Sequence, residues 1–77
     1  MKYVIVYLPT GETVKRCFAK CPITFDSREE AISIINTSVM KYGPGNDGSL
    51  VYISIIPVPY SVHKVPNYLC DILEVDD

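Results

Sequence analysis

The sequence predicts an α+β fold: a two-layer sandwich in β-β-α-β order, closed by a fourth, C-terminal strand. Three observations carry this. Residues 2–8 and 49–58 are rich in β-branched and aromatic residues that alternate along the chain. Ser27-Arg28-Glu29-Glu30 forms the S-x-x-E signature of a helix start, ahead of apolar residues at three-to-four spacing. Turn-forming residues separate these runs, at Pro9-Thr10-Gly11 and through Gly43-Pro44-Gly45-Asn46-Asp47-Gly48. With 77 residues the chain is expected to be a single α+β domain spanning 1–77, since it cannot supply two independent cores.

The first strand is read at residues 2–8, where Tyr3, Ile5 and Tyr7 alternate with Val4, Val6 and Leu8. Both of its faces are apolar. The turn after it leads into a partner strand at residues 13–18, whose Lys15 and Arg16 suit a sheet edge. Pro22 marks residues 19–26 as a connection. The helix is placed at residues 28–42, with Ala31, Ile32, Ile34, Ile35, Val39 and Tyr42 as its apolar stripe and Gly43-Pro44 as its stop. Ser27 is expected to cap it and Glu30 to reciprocate. Residues 49–58 read as an inner strand, and Ile53 is expected to meet Ile35 in the core. The stretch Tyr68–Val75 fits period two and period 3.6 alike. Pro66 and the closing Leu73-Glu74-Val75 favour a last strand, whereas a short C-terminal helix capped by Asn67 is the alternative.

Composition narrows the chemistry. Seven Lys and Arg against nine Asp and Glu give a net charge of −2, which offers no positive field for phosphates and argues against a nucleic-acid partner. No apolar run approaches the ~20 residues of a membrane helix, and the amino-terminal run has no secretory pattern. A cytoplasmic protein is expected, with Cys17, Cys21 and Cys70 as reduced thiols. Their C-x3-C spacing and the lone His63 do not make a zinc set, so neither metal nor cofactor is expected. His63 lacks a nucleophile and an orienting group nearby in sequence, and Glu29 and Glu30 suit the helix dipole better than a paired-acid mechanism.

The chain is therefore expected to be no enzyme but a small protein-binding domain, acting as a regulator, inhibitor or assembly factor. One helix can cover one face of a sheet, yet both faces of residues 2–8 are apolar, which predicts a homodimer as well as a second, foreign protein partner. Tyr3, Tyr7, Tyr52, Ile56 and Tyr60 are the candidate interface residues. Two rival readings are a small-ligand or nucleotide module using that tyrosine-lined face, and an enzyme with one of the three cysteines as nucleophile.

Overall fold

The apolar run Lys2–Tyr7 forms strand β1 at the centre of a three-stranded sheet in the computed structural model, which describes residues 1–16, 19–42, 49–53 and 65–76. On one side β1 pairs antiparallel with β2 (Glu12–Thr13) through a tight turn. The N–H groups of Thr10 and Gly11 both donate to the Tyr7 carbonyl, and Gly11 takes φ 75°, a conformation that side chains disfavour. On its other side β1 pairs with the C-terminal strand, called β6 (Cys70–Val75) in chain order, from Lys2↔Val75 through Tyr7↔Cys70.

Val14 joins this sheet to a second one. It is fully buried; its N–H donates to the Ile5 carbonyl at 2.9 Å, and its carbonyl accepts from Ile23 N–H at 3.2 Å. Past Val14 the chain enters β3 (Lys15–Arg16), which lies parallel to β5 (Leu50–Ile53), and β5 in turn pairs antiparallel with β4 (Val39–Tyr42). The connection that follows β3 folds back, and Phe25 exchanges two backbone hydrogen bonds with Tyr3, at 3.0 and 2.9 Å, extending the β2 side of the first sheet.

Helix α1 (Arg28–Thr37) starts as expected: Ser27 is extended, and its hydroxyl accepts from Glu30 N–H at 3.2 Å. The Glu30 carboxylate reaches one residue further back than a capping box requires and accepts from Asp26 N–H at 3.4 Å. Ala31 is the buried contact of the helix, while Ile34 and Ile35 pack half-buried against a core of Ile5, Val14, Phe25, Ala31, Met40, Leu50 and Val65.

The α+β class and the C-terminal strand hold, and six strands are present among the described residues. Three details differ. The helix stops at Thr37 rather than at residue 42, because Ser38 is extended and Val39–Tyr42 gain a partner in β5. Asn36-Thr37-Ser38-Val39 are weak helix formers, so little opposes the switch. The expected single sheet is divided in two at Val14, which also cuts the second strand into β2 and β3. Asn67 opens a 3₁₀ turn (Asn67–Leu69) but does not cap it. Its side chain instead donates to the carbonyls of Ile35, at 2.8 Å, and Ser38, at 2.5 Å, at the end of α1. Finally, β5 is the middle strand of its sheet, as expected, but residues 54–58 and the side chain of Ile53 lie outside the described residues.

Candidate functional site

Pairing with β6 decides which way β1 faces. Tyr3, Ile5 and Tyr7 stand opposite Glu74, Ile72 and Cys70, and all of these except Glu74 belong to the core or pack against it. Tyr52 packs against the same core from β5. The structure thus brings Tyr3, Tyr7 and Tyr52 together as half-buried residues around one core, on the side covered by α1, rather than on an open face. Ile56 and Tyr60, the other two candidate interface residues, lie outside the described residues, as do Cys17 and His63.

The opposite face of the first sheet carries Val4, which is buried, and half-buried Val6 beside Leu73 and half-buried Val75, with Leu8 just past the end of β1. Leu8 is 58% and Leu73 52% exposed. The alternation along residues 2–8 does not by itself distinguish the inward side, because both sides are apolar. Lys2 marks one end of the outer face, and Asp71, opposite Val6, the other.

The free edge of β6 is less inviting than its length suggests. Leu8 N–H donates to Leu69 O across the β1–β6 seam, so the backbone groups of Cys70, Ile72 and Glu74 point away from β1. Two of those N–H groups are already engaged. Cys70 N–H donates to Asn67 O, closing the 3₁₀ turn, and Ile72 N–H donates to the Asp71 carboxylate at 2.8 Å. Internal satisfaction of this kind, with acidic side chains nearby, blunts an edge against strand addition.

A groove of about 490 Å³ lies on another part of the surface. Arg16 and Tyr52, paired across β3 and β5, form one wall, and Glu30, Ser33 and Ile34 on one side of α1 form the other. Thr24, Phe25 and Asp26 complete the lining. Asp26 is ion-paired with Lys2, which holds its carboxyl below the usual value by hydrogen bonding first and by charge second. Arg16 has no carboxylate partner among the described residues. Sequence reading assigned Glu30 to the helix start and Arg16 to an edge; their convergence is a product of the fold.

Other chemistry finds less support. Burial pushes the Cys70 thiol up, the wrong direction for a nucleophile, and Cys21 is exposed. Tyr42, on β4, donates to Glu12 on β2 at 3.2 Å, tying the sheets together, and desolvation ahead of that hydrogen bond raises its pKa. Among the described residues no group of three His, Cys, Asp or Glu could hold a metal, and no helix is long and apolar enough to cross a membrane. No family model, curated protein or solved structure matches the chain.

Proposed function

We propose that the chain is a non-enzymatic protein-binding domain that pairs with a second copy of itself and, in that form, engages another protein as a regulator, inhibitor or assembly factor. The observation that carries this reading is the outer face of the first sheet, where Leu8 and Leu73 are each more than half exposed beside Val6 and Val75. Val4 on the same face is already buried, so the patch left to a partner is Val6, Leu8, Leu73 and Val75, and exposed apolar patches of this kind mark interaction surfaces.

A second copy suits this face for two reasons. The edge of β6 is blunted, which favours face-to-face over edge-to-edge contact. Lys2 and Asp71 stand at opposite ends, so a two-fold axis running across the strands sets the Lys2 end of one copy against the Asp71 end of the other. The interface shifts accordingly from Tyr3, Tyr7 and Tyr52 to Val6, Leu8, Leu73 and Val75. Free thiols at Cys21 and Cys70 fit a reducing setting such as the cytoplasm.

Light scattering over a wide dilution series tests the reading. The wild type is expected at twice the chain mass at micromolar concentration, burying on the order of 1,200 Å² or more. Leu73→Glu should lower the mass without unfolding the monomer, because that side chain is already half in water. Tyr68→Glu, at a position 83% exposed and on the 3₁₀ turn, should leave it unchanged. A wild type that stays monomeric throughout removes the dimer.

A further inference from the structure

We propose that the groove between β3, β5 and α1 binds a short zwitterion of amino-acid or dipeptide type, at residues other than those of the proposed dimer face. Its volume, about 490 Å³, falls within the roughly 300–1,000 Å³ of small-ligand sites. The distribution of charge selects the ligand class. The sheet wall carries the guanidinium of Arg16, with no carboxylate partner among the described residues. The helix wall carries the carboxylate of Glu30, whose one described bond is a long one from Asp26 N–H at 3.4 Å. Asp26, also in the lining, is ion-paired with Lys2.

A simple anion would meet Arg16 but also face Glu30, and a simple cation would meet Glu30 but also face Arg16. A molecule with an ammonium at one end and a carboxylate at the other satisfies both walls at once. The carboxylate takes the fork of Arg16, and the ammonium takes Glu30. Between the charged groups Ile34 and the Tyr52 ring line the groove, which favours an apolar or aromatic side chain on the ligand.

Glycyl-phenylalanine is the probe, added to the ¹⁵N-labelled full chain and followed by amide chemical shifts. Saturable shifts are expected at Arg16, Thr24–Asp26, Glu30–Ile34 and Tyr52. Blocking the amine by acetylation, or the carboxylate by amidation, should each weaken binding about tenfold, as the loss of one charge-assisted contact implies. Arg16→Gln, at an exposed position, should abolish the difference between the free dipeptide and its amide while preserving the penalty for acetylation. Glu30→Gln should do the reverse. Should Glu30→Gln fail to fold, the Arg16→Gln arm decides the matter alone. The proposal is overturned if the shifts do not saturate, if they fall outside the groove, or if the blocked dipeptides bind as well as the free one.

Discussion

Asn67 is the most economical place to test how the C-terminal strand is fastened to the helix. Its amide nitrogen has two protons, and each meets a carbonyl from the end of α1, Ile35 O at 2.8 Å and Ser38 O at 2.5 Å. Helix ends leave carbonyls without intrahelical partners, and the switch to β4 straight after Ser38 removes the residues that would have continued the ladder. Asn67→Ala should therefore cost about 2 kcal/mol, taking about 1 kcal/mol for each lost bond. Against a total of roughly 4–12 kcal/mol for a chain of this length, that loss is large. With a urea slope of about 1 kcal/mol/M, the midpoint should fall by about 2 M. Asn67→Asp is the sharper variant. It keeps the shape, but an ionised carboxylate has no proton to give, and it would stand against two carbonyl oxygens at the negative end of the helix dipole. It should be less stable than Asn67→Ala at neutral pH, whereas Tyr68→Ala next door should stay within about 0.5 kcal/mol. An Asn67→Asp protein as stable as the wild type, or more stable than Asn67→Ala, would refute the assignment.

Other substitutions test the remaining joints. Ser27→Ala removes the acceptor for Glu30 N–H and should cost about 1 kcal/mol by chemical denaturation; no measurable loss would misplace the helix start. Ile5→Ala, at a fully buried position on the central strand, should cost about 2–5 kcal/mol, and Ile35→Ala, only half-buried, should cost less; the opposite order would contradict the packing described. The Asp26 carboxyl is held below its usual value by Lys2, so its contribution to stability is present above the ordinary carboxylate range and is lost as pH falls through the lowered folded value. Denaturation melts across the acid range should show a shallower loss for Asp26→Asn than for the wild type, and added salt should shrink the difference because the pair is exposed.

What the sequence disclosed was the set of local signals. Gly11 announced the turn between β1 and β2, Ser27 announced the helix start, and the alternation in Leu50–Ile53 announced a central strand. The end of the helix was hidden for a physical reason: Ile35, Val39 and Tyr42 continue a helical stripe, while Val39–Tyr42 equally suit a strand. Pairing with β5, some ten residues away in the chain, decides between the two, and no local window contains that information. The same holds for Asn67, which locally suits the cap of a short C-terminal helix but serves a helix that ends 30 residues earlier. On β1 alternation separated Tyr3-Ile5-Tyr7 from Val4-Val6-Leu8 without ranking them. The core side follows from the register with β6 and the position of α1, both of them long-range facts. Arg16 and Glu30 offered no motif at all, since each has a sufficient local role and only the tertiary fold brings them into the lining of one groove.

The proposed dimer face and the proposed groove use different residues, and the one thread between them is the Lys2–Asp26 pair. Lys2 stands at an end of the outer face, while Asp26 lines the groove. A second copy that brings its Asp71 near Lys2 would compete with Asp26 for the same ammonium, and loosening that pair would change the charge that a zwitterion in the groove meets at Asp26. Linkage makes the two effects equal in free energy. Its size is bounded by the pair that transmits it: an exposed ion pair is worth about 0–1 kcal/mol, which limits the coupling to roughly fivefold in either affinity. Saturating glycyl-phenylalanine should therefore change the dimer dissociation constant, measured by light scattering on dilution, by no more than about fivefold. Lys2→Met should remove whatever change is seen. A larger shift, or one that survives Lys2→Met, would mean that the ligand alters the sheet itself, most directly through Phe25, which lines the groove and is hydrogen-bonded to Tyr3 on β1.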